Sequence, residues 1–169
     1  MADAQVFSED DRGELLEGEI IEMAPIGSRH AACVDRLTQV FALALGEEAI
    51  VRVQNPLRLS EHSEPQPDLA VVLPRSDHYR HAHPRAADIF FLIEVSDTTA
   101  EFDRTVKLPL YARAGIREVW IVDLAAACVE VYRQPGADGY ERMERFMRGQ
   151  SVAPQAFPDL FLSVNDILG

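Results

Sequence analysis

The sequence predicts an α/β domain, a mixed sheet with helices packed against it. Three observations predict it. Residues 29–45 carry apolar side chains at helical spacing. Residues 68–73 and 90–95 are nearly continuous apolar runs, the pattern of strands buried on both faces. Residues 103–114 then return to a helical pattern, followed by a further run at 119–123.

In chain order, residues 1–13 are polar and read as a lead-in, and residues 14–169 as a single domain. Residues 14–23 (ELLEGEIIEM) are interrupted by Gly18, which suggests a short helical or irregular piece, a turn, and a strand over 19–23. Pro25, Ile26 and Gly27 stop that strand, and Ser28 is placed to cap the helix that follows. Within it, Val34, Leu37, Phe41 and Leu45 recur at spacings of three and four, and Gly46 closes the segment. Val51, Val53, Leu57 and Leu59 alternate with polar residues as in a half-exposed strand, with Asn55-Pro56 marking a bulge or an edge. Residues 61–67 form a loop before the strand that Asp68 heads. A polar loop over 74–88 leads to the strand that carries Glu94. The helix over 103–114 ends at Gly115, and Pro109 inside it either kinks it or marks its start. Strands over 119–123, 128–133 and 141–146 complete the sheet, the last two joined by a turn at 136–139. Leu160, Leu162, Val164 and Ile167 anchor the tail.

Composition excludes several classes. The net charge of −12 argues against strong non-specific nucleic-acid binding, although not against a local basic face. No apolar run is long enough for a membrane span. No secretory signal is read at the start, and two isolated cysteines, Cys33 and Cys128, suit a reducing cytoplasm. The histidines His78, His81 and His83 share a loop, but their spacing matches no standard zinc pattern. Trp120 lies in an apolar strand, which suggests core rather than a base-stacking platform.

The most informative composition feature is one residue. The chain has 15 arginines and one lysine, Lys107. Lysine is a compact point charge, whereas arginine is a permanently charged fork. Two acids also stand where acids are costly. Asp68 heads one buried run and Glu94 lies near the end of another. Such a carboxylate costs several kcal/mol unless it is paired or metal-bound. Two carboxylates on neighbouring strands can converge on one hard cation, Mg²⁺ or Mn²⁺. Equally, each can cap a strand end and face water. Asp103 and Lys107 are four apart, with Tyr111 one turn on, so the lysine can reach back over Glu94 or form a surface pair with Asp103. An Asp, a Glu and a Lys around one divalent ion is an arrangement suited to phosphodiester hydrolysis.

These motifs carry a resemblance. Pro67-Asp68, Ile93-Glu94-Val95-Ser96, the spaced Asp103, Lys107 and Tyr111, Gly115-Ile116 and Val119-Trp120-Ile121-Val122-Asp123 resemble the Uma-type restriction endonuclease family of the PD-(D/E)XK nuclease superfamily. Upstream, residues 14–20, Pro25 and His30 fit the same pattern. The resemblance covers roughly residues 14–133. It implies a restriction-endonuclease-like core (helix, three strands, helix, strand) with extra C-terminal strands. It further implies Asp68, Glu94 and the Val95 carbonyl as ligands of Mg²⁺ or Mn²⁺, Lys107 as the catalytic lysine, DNA as substrate and a homodimer. The superfamily's usual lysine position, two after the glutamate, is Ser96 here. In the Uma-type pattern the lysine moves to the next helix, where Lys107 lies. Asp97 stands where that family often has proline. Glu19 and His30 are accessory candidates, as are Asp103 and Tyr111. The expected function is a metal-dependent endonuclease. The alternative is a non-catalytic homodimeric module that keeps the fold.

Overall fold

The computed structural model describes residues 13–169. The lead-in expected over residues 1–13 therefore lies, except for Gly13, outside the described residues. Among those described, the central sheet runs β3-β4-β5-β6-β7-β8. Its strands are β3 (Ile50–Val53), β4 (Leu69–Val72), β5 (Ile89–Ser96), β6 (Glu118–Asp123), β7 (Cys128–Pro135) and β8 (Tyr140–Met147). Only β5 and β6 are parallel; the other neighbours are antiparallel.

The parallel pair exists because a helix intervenes. That crossover consists of α2 (Ala100–Phe102), a π-helical turn (Asp103–Lys107) and α3 (Leu108–Arg113). The long α1 (Ser28–Leu45) precedes β3. The order α1, three strands, crossover helix, β6 is the expected core, and β7 and β8 are the extra strands. Among the described residues no helix is long and apolar enough to cross a membrane.

Alternation along the strands divides the core in two. Leu69, Val71, Phe91, Ile93, Val95, Trp120 and Val122 face α1, where Cys33, Val34, Leu37, Phe41 and Leu45 meet them. Ala70, Val72, Leu92, Val119 and Ile121 face the other way, onto Leu108, Tyr111 and Ile116. The central strands read as unbroken apolar runs because both faces are covered. Trp120 stacks on Phe91 with ring centroids 5.6 Å apart, and Phe41 meets both rings edge-on. Trp120 is therefore core.

Several elements differ from the sequence reading. Residues 14–23 are a β-hairpin, β1 (Gly13–Leu16) and β2 (Glu19–Glu22), rather than a helical piece and a strand. Glu17 and Gly18, both at positive φ, make its turn. Gly18 marks a turn as expected, but what it joins is two strands. Ser28 is the first helical residue and not the cap; Gly27 takes the cap position with extended backbone. The strand expected over 51–59 stops at Val53, because Gln54 turns to φ 52° and Pro56 brings no N–H to the ladder. The second helix starts at Ala100, not at 103, and Pro109 does not break it. The Leu108 N–H bonds the Asp103 carbonyl, five residues back, so the turn widens just before Pro109. Proline offers no N–H to the Thr105 carbonyl, and the wide turn accommodates that loss.

The tail closes the α1 side. β9 (Ser151–Val152) pairs with β10 (Leu162–Ser163), and α4 (Val164–Leu168) sets Val164 and Ile167 into the α1 core. Phe41→Ala is expected to lower the unfolding free energy by about 3–5 kcal/mol, read by urea denaturation. Leu43→Ala, on the exposed side of the same helix, should stay within about 0.5 kcal/mol. Equal costs would contradict this placement of the core.

Candidate active site

The cavity at the C-terminal end of β5 encloses about 440 Å³. Asp68, Glu94, Val95, Asp103 and Lys107 all line it, and so does His30 from α1. Each arrives by a traceable route. Asp68 immediately precedes β4, behind Pro65 and Pro67. Glu94 shares a face of β5 with Leu92 and Ser96, the face turned towards α3. The wide turn of the crossover helix carries Asp103 and Lys107 to that face, and α3 carries Tyr111.

Lys107 is the centre of the arrangement. It is 4% exposed. Its Nζ lies 2.8 Å from Glu14 Oε1 and 3.0 Å from Glu94 Oε1. The Tyr111 hydroxyl donates to the same Glu94 oxygen at 2.6 Å. The open alternative of a surface Asp103–Lys107 pair is thus not what the fold builds. Asp103 is buried and accepts from Ser96 Oγ at 2.6 Å and from Thr99 Oγ1 at 3.1 Å. Ser96, where the superfamily's lysine would be expected, fastens the helix that delivers Lys107.

Asp68 is held separately. Its Oδ2 accepts from the Val95 N–H at 2.8 Å and lies 3.1 Å from His30 Nε2. Gln54 Nε2 reaches Oδ1 at 3.4 Å. The backbone bond to Val95 ties the two acid-bearing strands together at the site. His30 has its Nδ1 buried with no hydrogen-bond partner, among the described residues.

Glu14 was absent from the site residues drawn from the sequence. It is buried, and its Oε1 accepts from the Gln66 N–H at 2.8 Å as well as from Lys107. Gln66 Nε2 donates back to the Gly13 carbonyl at 2.9 Å. The hairpin is further fastened by Glu64 N–H to Leu15 O at 2.7 Å, by Gly18 N–H to His62 O at 2.8 Å and by an Arg113–Glu17 pair. One signal could have found Glu14. In a strand it lies in phase with the buried Leu16, and an acid on an apolar face needs a partner. Gln54 was also missed; its signal is tertiary. Glu19 is exposed on β2 and does not line the cavity. His78, His81 and His83 are exposed on their loop.

Electrostatics follow from burial. Burial pushes the Glu94 carboxyl well above its ordinary value, and the acids Asp103, Asp68 and Glu14 add to that against the pull of Lys107. Burial likewise raises Asp103. Burial alone would lower Lys107, but Glu94, Glu14 and Asp103 outweigh it and hold the ammonium firmly protonated. The hydrogen bond to Asp68 raises His30 against the effect of burial. The buried acids Glu14, Asp68, Glu94 and Asp103 thus share one cavity with a single ammonium, which Glu14 and Glu94 contact, and with His30 beside Asp68. Such an excess of hard oxygen donors fits a divalent cation of the Mg²⁺ type.

A second buried group, Asp123, Cys128 and Glu130, has ligand atoms close enough for an ion. Its chemistry differs. Arg104 forks onto it, with Nε 3.0 Å from Glu130 Oε2 and Nη2 2.7 Å from both Glu130 Oε1 and Asp123 Oδ2. Arg145 Nη2 adds a contact to Glu130 at 3.2 Å, and burial raises the Cys128 thiol. The carboxylates there are already matched by guanidinium charge, whereas those of the cavity are not.

Comparison with known proteins agrees with this architecture. A family model, Uma2, described as "Putative restriction endonuclease", matches residues 2–165. A crystal structure described as that of a putative nuclease belonging to DUF820, from Anabaena variabilis, has the same fold. Its TM-score is 0.76 at 21% identity, covering 92% of this chain and 89% of that chain. No curated protein matches.

Lys107→Met would strand two buried glutamates. A loss of about 3–5 kcal/mol at neutral pH is expected, the cost of breaking a buried pair from one side. The pH dependence has a definite sign. A carboxyl whose folded pKa exceeds the unfolded value of about 4.5 stabilises the fold below that value and loses the contribution as pH rises through the folded pKa. Removing Lys107 raises Glu94 further, so urea unfolding should show the variant's deficit shrinking from pH 7.5 to 5.5. A deficit constant over that range would argue against a buried Glu94–Lys107 pair.

Proposed function

The chain belongs to the Uma2 family, described as "Putative restriction endonuclease", and from that premise we propose that it is a metal-dependent endonuclease acting on DNA phosphodiester bonds. The observation that carries the proposal is the one lysine of the sequence, buried in a cavity of acids and bridging Glu94 to Glu14. A lysine kept only for solubility would stand in water.

Asp68 and Glu94, with the Val95 carbonyl, are the residues that would hold Mg²⁺ or Mn²⁺. A divalent ion bound there supplies a water of lowered pKa and a polarised phosphate. The remaining roles belong to this chain's own groups. Lys107 presents a fixed positive charge to the phosphate, where negative charge grows in the transition state. Glu14 and Glu94 hold its ammonium on two sides, so little reorganisation is needed when charge develops. Tyr111 fixes the same Glu94 oxygen and leaves its carboxylate one orientation. His30 keeps Asp68 Oδ2 in place from the α1 side. Glu14 is thus a positioning residue for Lys107, and Tyr111 and His30 do the same for the two acids.

Plasmid cleavage with Mn²⁺ tests the reading. Wild type is expected to nick or linearise the plasmid, and Asp68→Ala and Lys107→Ala to lose activity by about 10²-fold or more. Calorimetry should show Mn²⁺ binding to wild type and none to Asp68→Ala. Glu14→Gln should lower kcat by about tenfold while leaving Mn²⁺ binding intact, since it loosens the lysine rather than removing a ligand. Wild type that neither cleaves DNA nor binds Mn²⁺ would favour a non-catalytic module that keeps the fold.

A further inference from the structure

A chain of net charge −12 that handles DNA must concentrate its positive charge somewhere. One place stands out. A second cavity, of about 220 Å³, is lined by Arg29, Arg36 and Arg148 and by no Asp or Glu side chain. We infer that this arginine pocket binds a backbone phosphate near the scissile one on the same DNA strand; the inference rests on the endonuclease reading.

Its position is the first support. Active-site residues sit at the C-terminal end of β5, while Leu124, in the wall of the arginine pocket, directly follows β6. β5 and β6 are the parallel pair, and the Leu124 N–H bonds the Ser96 carbonyl at 2.8 Å. Loops beyond the carboxyl ends of adjacent parallel strands form the ligand crevice of open α/β sheets. Neighbouring strands lie about 4.8 Å apart, and one DNA strand carries a phosphate about every 3.4 Å of duplex axis. The two cavities are linked by Arg29, so a strand seated in the first has a continuous path to the second.

The side chains supply the second support. Arg29 spans the two cavities: its Nη1 lies 3.3 Å from Asp97, which lines the first, and its Nη2 donates to the Leu124 carbonyl at 3.2 Å, in the second. Its neighbour His30 touches Asp68. Arg36 is two helical turns further on, about 10 Å along the same face of α1. Its Nη2 donates to the Leu168 carbonyl at 2.8 Å, and its Nε is buried with no partner among the described residues. Arg148 Nη2 donates to the Gly169 main-chain oxygen at 3.1 Å. These bonds aim the guanidinium groups without using all their donors, and a planar fork suits phosphate.

Duplex binding followed by fluorescence anisotropy tests this, with wild type and the double variant Arg29→Ala/Arg148→Ala over a salt series. Arg29 has a side chain 65% exposed, so its truncation leaves the fold intact, and retained Mn²⁺ binding and an unchanged thermal transition provide the check. The slope of log affinity on log salt is expected to fall by about two, close to 0.9 for each lost phosphate contact. Arg36→Lys should weaken binding less than Arg148→Ala, because it keeps the charge. Wild-type binding with an unchanged slope in the double variant overturns this inference and leaves the endonuclease reading standing. If wild type cleaves nothing and binds no duplex, both fail together. Competition by inorganic phosphate with no effect of the substitutions on duplex binding would make the pocket a free-anion site and also overturn the assignment.

Discussion

One buried ammonium organises this protein. Lys107 Nζ sits between two glutamate oxygens that belong to distant parts of the chain, Glu14 in the first hairpin and Glu94 in the central sheet. Taking three charges out of water costs several kcal/mol each, so the arrangement persists only where geometry and extra hydrogen bonds compensate. The compensation is visible. Tyr111 donates to Glu94, and the Gln66 N–H donates to Glu14. The need to bring those partners together explains why a hairpin outside the central sheet is fastened so firmly to the 62–66 loop and to α3.

The same constraint accounts for the wide turn in the crossover helix. Residues 103–107 carry both Asp103 and Lys107 to the buried face of β5 while Arg104 reaches the carboxylates of β6 and β7. Two cations three residues apart take different chemistry. Arg104 uses its fork to bind Glu130 twice and Asp123 once, matching those charges. Lys107 places one compact charge between two carboxylates and leaves the cavity with an acid excess. Arginine could not do this without a larger space. The carboxylates of the Arg104 cluster are matched by guanidinium charge, and those of the cavity outnumber its one ammonium.

Much of this was legible in the sequence. The paired apolar runs with Asp68 and Glu94 at their ends implied buried strands with acids at the strand ends, because alternation and burial act locally. The lysine was conspicuous because it stands alone among 15 arginines. Less legible were the segments whose conformation depends on distant partners. Residues 14–23 have enough Glu and Leu for a helix, yet they form a hairpin because β1 gains a backbone bond from Glu64 and a side-chain bond from Gln66 to the Gly13 carbonyl. The strand at 50–53 ends early because Gln54 turns towards Asp68, a contact that no local spacing contains.

The sequence by itself determined the order of the core elements from α1 to β8, the two-faced burial of the central strands and the residue types that gather at the end of β5. Those follow from periodicity, turn chemistry and the cost of placing a charge in an apolar run. Only the tertiary structure decided which acids share the lysine. Glu14 and Glu94 are 80 residues apart in sequence, and their common partner depends on where a hairpin docks and how wide one helical turn is. It also decided that Asp103 serves Ser96 and Thr99 rather than Lys107. Local spacing offers the partners a buried charge could take, and packing in three dimensions selects among them, because an unpaired charge in the interior is the costliest outcome.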